Sequence, residues 1–272
     1  MLIRAGNRRI HFDLLGPEAA PVVCLAHALS TDTGIWAEQV PPLLGAGWRV
    51  LRIDMRGHGG SDPGSGDCTI AELAADVVQV LDFLGIERMH FAGVSIGGMI
   101  GQTLALDHAH RLHSLMLIGT SPKAVPGPPE MWSERFATIR ADGSVEPLAD
   151  ATMTRWFTDA FRPAHENRWR QVWNMIANTT PEGYIGGAVA LGRFDVLDRL
   201  PSLRVPTLVV CGDDDPGTPP ELNRRIAELI PGARYQEIAN ARHIPMVEHP
   251  EVFAGIMLGW LEGRRNNRGA VA

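Results

Sequence analysis

Apolar residues fall into six short runs rich in β-branched side chains: Pro21–His27, Arg49–Met55, Met89–Val94, Ser114–Ile118, Thr207–Cys211 and Arg234–Ile238. Runs of this length with little polar alternation read mostly as strands buried on both faces. Helix-length amphipathic stretches separate several of them. The clearest, Ile70–Leu84, follows Thr69 and carries Glu72 at capping-box spacing, with Leu73, Val77, Leu81 and Leu84 on one stripe. Further helices are predicted after Ser95, over Pro220–Ile230 and over Pro250–Leu261, where the proline suits a first helical turn. Strands alternating with helices imply right-handed crossovers and a mostly parallel sheet with helices on both faces, an α/β architecture. The opening Ile3–Leu15 predicts an antiparallel hairpin turning at Gly6-Asn7.

The alternation fails between Pro122 and Leu200. A proline-rich stretch, Pro122–Pro129, leads into a helical pattern studded with Trp132, Phe136, Trp156, Phe157, Phe161, Trp169 and Trp173. Such an insertion between two strands is a lid over a pocket or an ordinary packed subdomain. The expected organisation is a core of residues 1–121 and 201–272 with a helical cap over 122–200.

The 272 residues allow one large domain or a domain with an insertion. A formal net charge of -6 argues against a nucleic-acid partner, because displacing counterions from a polyanion needs clustered cations. Cys24, Cys68 and Cys211 are too few and too scattered for a disulfide framework or a zinc site, which points to a reducing compartment. No apolar run approaches the roughly 18 residues of a membrane span, and no leader pattern opens the chain, so the expectation is a soluble, cytoplasmic protein without a membrane partner. The tail from Gly263 to Ala272 is expected to fray, and a homo-oligomer stays open.

Gly93-Val94-Ser95-Ile96-Gly97 joins the strand Met89–Val94 to a small-residue helix. A serine at so sharp a turn is forced into a strained conformation that lifts its hydroxyl off the sheet, while the flanking glycines let strand and helix approach. Serine needs an imidazole to take its proton and a carboxylate to orient that imidazole. Three carboxylates, Asp213, Asp214 and Asp215, follow the strand Thr207–Cys211, and His243 follows the strand Arg234–Ile238. The order serine, acid, histidine, each just past a strand, is that of the α/β hydrolases. His27 and His58 sit on loops at the same sheet edge and are expected to brace them. Backbone amides should stabilise the oxyanion: Ile96 after the serine, and Leu29 after the first buried strand, or Ser30 if the register shifts by one. No phosphate loop, dinucleotide fingerprint or HExxH occurs, so no cofactor or metal is expected.

With these residues in view, the chain resembles the α/β-hydrolase superfamily over nearly its whole length, and within it is most similar to the 3-oxoadipate enol-lactone hydrolases. The resemblance extends through Thr31-Asp32, Trp36, Arg52 to Asp62, Gly93 to Met99, Trp132-Ser133-Glu134-Arg135 and Arg155-Trp156-Phe157-Thr158. It implies Ser95 as nucleophile, Asp215 as the acid with Asp214 as the alternative, and His243 as base. It further implies a bacterial, cytoplasmic enzyme of aromatic-compound breakdown in the β-ketoadipate pathway, opening an enol-lactone through an acyl-enzyme. Trp132, Arg135 and Trp156 become candidate substrate contacts. Arg135 or Arg155 could pair with a substrate carboxylate, although solvated helix faces are the more ordinary place for both. Ala28 stands where a glycine or small residue is usual and could tighten the oxyanion hole. The same triad would serve a carboxylesterase, another lactonase or a carbon–carbon hydrolase, and the fold can also act as a non-catalytic small-molecule receptor.

Overall fold

All six predicted inner strands form in the computed structural model, which describes residues 1–6, 8–64, 66–124 and 129–265. Asn7 of the opening turn, residues 125–128 of the proline-rich stretch and the tail beyond 265 lie outside the described residues. The strands are β1 (Leu2–Ala5), β2 (Arg8–Leu15), β3 (Val22–Ala26), β4 (Arg49–Ile53), β5 (Met89–Val94), β6 (Leu112–Ile118), β7 (Thr207–Gly212) and β8 (Arg234–Ile238). They make one eight-stranded sheet in the order β1-β2-β4-β3-β5-β6-β7-β8. β1 pairs antiparallel with β2, and β2 antiparallel with β4; every other pairing is parallel. β3, β5 and β7 are buried along their whole length, as strands covered on both faces must be. β8 departs from the buried reading. It is one edge of the sheet, only Ile238 is buried among its residues, and Glu237 pairs with Arg224.

The helices of the core are α1 (Val40–Gly45), α2 (Ile70–Leu84) and α3 (Ile96–Asp107) before the insertion. The insertion carries α4 (Pro129–Asp142), α5 (Ala149–Trp156), α6 (Phe161–Ala164), α7 (Glu166–Ala177) and α8 (Pro181–Gly192). After it come α9 (Pro220–Leu229), α10 (Pro245–Glu248) and α11 (Pro250–Glu262). The capping box on α2 is complete: the Thr69 hydroxyl accepts from the Glu72 amide, and the Glu72 carboxylate accepts from the Thr69 amide at 2.9 Å. The helix stops at Gly85, whose φ of 65° is the left-handed cap that glycine adopts without a Cβ penalty. The sequence pattern missed the helical turn over Thr33–Gln39 that runs into α1, because its apolar residues follow neither period clearly. None of the described helices is long and apolar enough to cross a membrane.

β3 and β5 are neighbours from which the chain departs in opposite directions along the sheet, to β4 on one side and β6 on the other. This reversal opens a crevice at the carboxyl ends of the parallel strands. The insertion leaves and rejoins the core through a short two-stranded neck. Lys123 bridges Asp195, the Ala124 amide donates to Phe194 O at 2.7 Å, and the Val196 amide donates to Pro122 O at 2.8 Å.

Two buried rings make the fold acid-sensitive. Burial, and then the charge of His27, pushes His58 from an ordinary 6.5 down to about 3. Burial, and then His113, Arg264 and Arg88, does the same to His90, which packs edge-on against Trp48 and bonds Ser114. Unfolded, both rings take up protons below about 6.5, whereas folded they stay neutral, so stability is full above that pH and falls as pH drops. Each ring should remove about 1.4 kcal/mol per pH unit across that window. Urea titrations between about pH 6 and pH 5 should show His90→Gln losing stability less steeply than wild type by about that amount. Equal slopes would show that His90 already carries a proton in the fold.

Candidate active site

Ser95 sits at φ 56°, ψ -118° between β5 and α3, in a region where non-glycine residues are strained by roughly 1–3 kcal/mol. Its amide is held by Ile118 O at 2.9 Å, and its carbonyl accepts the Thr120 hydroxyl at 2.7 Å. The flanking glycines are obligatory. A Cβ on Gly93 would lie 2.1 Å from Gly97 O, and one on Gly97 would lie 2.5 Å from Ala26 O. Close packing of α3 against the ends of β3 and β5 thus forces the turn, and the Ser95 side chain stays accessible while its neighbours are buried.

His243 lies on the loop after β8, 5% exposed, and its Nδ1 meets Asp215 Oδ2 at 2.8 Å. Asp215 is the carboxylate that the structure brings to the histidine. The other two do turn and loop work, Asp214 pairing with Arg242 and Asp213 accepting the Ala241 amide. Burial pushes the Asp215 carboxyl up, but the charge and hydrogen bond of His243 and the amide and hydroxyl of Thr218 outweigh it and hold the group below the usual carboxylate range. The Gly217 and Thr218 amides reach Oδ1 at 2.8 and 3.0 Å, and the Thr218 hydroxyl reaches Oδ2 at 2.7 Å. Ser95 and His243 line one cavity, and no direct hydrogen bond joins them among the described residues. Hydroxyl–imidazole contacts commonly tighten only with substrate in place.

The segment expected to supply the first oxyanion donor is held by a reciprocal exchange between two loops. His27, after β3, accepts the Met55 amide on Nε2 at 2.9 Å; His58, after β4, accepts the Ser30 amide on Nε2 at 3.1 Å. Each Nδ1 in turn meets a nearby carbonyl, that of Ala28 for His27 and that of Arg56 for His58. The two rings therefore brace the loops, as the sequence suggests. The Ser30 amide is spent on His58, whereas the Leu29 amide has no acceptor among the described residues, which favours the Leu29 register. Ile96 is the first residue of α3, where an amide has no intrahelical acceptor. Ala28 is buried and keeps φ negative, so its Cβ is accommodated without backbone strain.

Above these groups is a cavity of about 560 Å³. Its floor is Leu29, Ser95, Thr218 and His243 from the core, and its walls are Trp132, Arg135, Thr152, Arg155, Trp156 and Tyr184 from the insertion. Trp132, Arg135 and Trp156 thus reach the same space as Ser95. The solvated-face expectation for the two arginines is overturned. Both are half-buried and line the cavity, because α4 and α5 turn these faces toward the core. Neither pairs with a carboxylate among the described residues. Arg135 stands 5.0 Å over the Trp132 ring, and Arg155 reaches only the Thr152 hydroxyl, at 3.3 Å. Burial, and then the charge of Arg135, draws the Arg155 guanidinium below the usual arginine value. Sequence reasoning missed Tyr184 and Thr218. Thr218 was findable, since a hydroxyl three residues past an aspartate is a common turn partner; Tyr184 carried no local signal.

An eight-stranded, mostly parallel sheet with a strained serine turn, an Asp–His pair and a cavity over both defines the α/β-hydrolase class, and the family model described as alpha/beta hydrolase fold matches residues 21–250. The chain belongs to this family and is an ester or lactone hydrolase. It is 32% identical over 262 residues to 3-oxoadipate enol-lactonase 1 of Acinetobacter baylyi, covering 96% of each chain. A relative from Variovorax paradoxus, named as a candidate carbamate hydrolase, is 30% identical over 93% of this chain and 96% of its own. The crystal structure of the enol-lactonase from Burkholderia xenovorans LB400 superposes with a TM-score of 0.91 at 34% identity, covering 96% of this chain and all (100%) of that one.

One further cluster ties the insertion to the histidine loop. The Glu248 carboxylate accepts the Thr158 amide at 2.7 Å, the Thr158 hydroxyl, and the Arg242 amide at 2.9 Å. Arg242 donates to Thr154 O and Phe157 O, and the His243 amide donates to Trp156 O at 3.1 Å. The end of α5 and the histidine loop are therefore tied together by hydrogen bonds. Glu248→Ala strands two amide donors, each costing about 1–3 kcal/mol when buried and unmet. Ester hydrolysis by this variant should fall roughly tenfold to a hundredfold, the effect of a small misplacement of a reacting group. Unchanged kcat in a folded Glu248→Ala protein would sever the link.

Proposed function

We propose that the chain opens an enol-lactone bearing a free carboxylate, of the 3-oxoadipate enol-lactone type, through an acyl-enzyme. The carrying observation is the pair Arg135 and Arg155: two guanidiniums in the cavity above Ser95, neither with a carboxylate partner among the described residues. A half-desolvated arginine is costly to leave unpaired, and its planar fork matches a carboxylate bidentately. The enol-lactonase relatives are consistent with this substrate.

In this reading Ser95 attacks the lactone carbonyl while His243 takes its proton, with Asp215 fixing the imidazole and stabilising its charged form. The amides of Leu29 and Ile96 receive the oxyanion, each donor worth a few kcal/mol in the transition state. Collapse breaks the ring C–O bond, and His243 returns the proton to the departing enol oxygen. A water deprotonated by His243 then adds to the acyl-enzyme, Ser95 leaves with that proton, and the enol product tautomerises to a keto acid. The insertion over residues 122–200 is the cap that confers selectivity: Trp132 and Trp156 bound the ring, and the arginines hold the carboxylate.

Ser95→Ala should abolish turnover of every substrate by a factor of roughly a thousand or more. Arg155→Gln should raise KM for 3-oxoadipate enol-lactone at least about tenfold while leaving p-nitrophenyl acetate nearly unchanged. Equal losses on both substrates would sink the carboxylate assignment. Preference for neutral esters or carbamates across a panel would favour another hydrolase of the same triad, and equal ester hydrolysis by wild type and Ser95→Ala would favour a receptor.

A further inference from the structure

A second cationic cavity, of about 490 Å³, opens at the opposite edge of the sheet, where β3, β4 and β5 begin. Four arginines line it, Arg49, Arg88, Arg264 and Arg265, against two exposed carboxylates, Glu18 and Glu87. Arg265 pairs with Glu262. The other three have no carboxylate within ion-pair distance among the described residues. Their contacts are to neutral groups: Arg49 to Glu18 O at 3.3 Å, Arg88 to Leu112 O at 2.8 Å, and Arg264 to Trp260 O at 3.0 Å with its guanidinium stacked on the Trp260 ring. The Nε atoms of Arg49, Arg264 and Arg265 are shielded from solvent without a hydrogen-bond partner among the described residues. In a chain of net charge -6, four guanidiniums in one concavity outnumber its two carboxylates, and three of them form no ion pair among the described residues, so the cleft carries a local positive field. Arginine forks match paired oxyanion oxygens. The buried ring of His90 adds a neutral wall.

We propose that this cleft binds a small dianion with paired oxyanion oxygens, such as a phosphate or a short dicarboxylate, at a site separate from the Ser95 cavity. The two are divided by the length of β5, six residues or roughly 20 Å. Nothing in the chemistry at Ser95 uses the rear cleft, and the site stands or falls independently of the enol-lactone reading.

The test is calorimetric titration of the full-length protein with inorganic phosphate and, separately, succinate, with ionic strength matched by chloride. Saturable binding of either probe in the millimolar range or tighter is expected, and which one binds identifies the source of the dianion. Arg49→Gln/Arg88→Gln should weaken it at least about tenfold, and Arg135→Gln/Arg155→Gln should leave it intact. Arg88 is exposed and makes a single hydrogen bond, so Arg88→Glu gives the same reading should the double variant fold poorly. No saturable binding of either probe overturns the proposal. So does binding unmoved by the rear-cleft variants, and so does binding lost only in Arg135→Gln/Arg155→Gln, which would place the anion in the Ser95 cavity.

Discussion

The approach of Gly97 to the end of β3 sets the geometry of everything above the sheet. With no side chain at Gly93 or Gly97, α3 begins in contact with the backbone of Ala26 and His27, so the intervening Ser95 must take a positive φ. The strain is small beside the packing that imposes it, and it is held on both sides by the Ile118 and Thr120 hydrogen bonds. The same approach sets the free amide of Ile96 at the head of α3, close to the loop that carries Leu29. One steric constraint therefore presents a hydroxyl and a donor together, and the histidine exchange between His27 and His58 holds the second donor in place.

The histidine side of the site is governed differently, by electrostatics inside a nearly dry shell. Asp215 is 2% exposed, and burial alone would favour its neutral form. The charge and hydrogen bond of His243, with the amide and hydroxyl of Thr218, reverse that preference, and an ionised carboxylate facing Nδ1 favours the tautomer that leaves Nε2 free to accept a proton. The loop carrying the ring is also bound to the insertion through Trp156, Thr158 and Glu248. The insertion therefore does more than wall the cavity, because the end of α5 also holds the loop that carries His243.

Much of this was legible in the sequence because it follows from local rules. Buried strands read as uninterrupted apolar runs, the Thr69/Glu72 box announces α2, and a glycine-flanked serine between a strand and a helix announces the turn. The acid was ambiguous for a physical reason: Asp213, Asp214 and Asp215 differ only in which way a tight turn points them, and that depends on Thr218 and Arg242. That β8 is the exception among mostly buried strands does not show in composition, which carries no sign of which strand lies at an edge. Arg135 and Arg155 were expected on solvated faces, since a helix in isolation gives no sign of which side another element will cover. Tyr184 joined the cavity only through the fold, from a helix dominated by small residues.

The division between core and insertion explains why the chemistry is easier to read than the substrate. The residues proposed to move a proton or receive an oxyanion sit just past strand ends and are held there by backbone and side-chain hydrogen bonds. The walls come from helices attached through the neck at Lys123 and Asp195 and through the Glu248 cluster. Side chains there can change without disturbing the turn at Ser95, so relatives can share a strand-end apparatus and still carry different substrate names. Within that freedom, charge is the most restrictive choice. Arg135 and Arg155 are half-buried and have no carboxylate partner among the described residues, so an empty cavity leaves their charge uncompensated. On the proposed reading, an anionic ligand replaces the water lost from them with paired hydrogen bonds that a neutral one cannot supply. In the proposed reading, selectivity for charge therefore rests on Arg135 and Arg155, two side chains of the insertion that line the same cavity as Ser95.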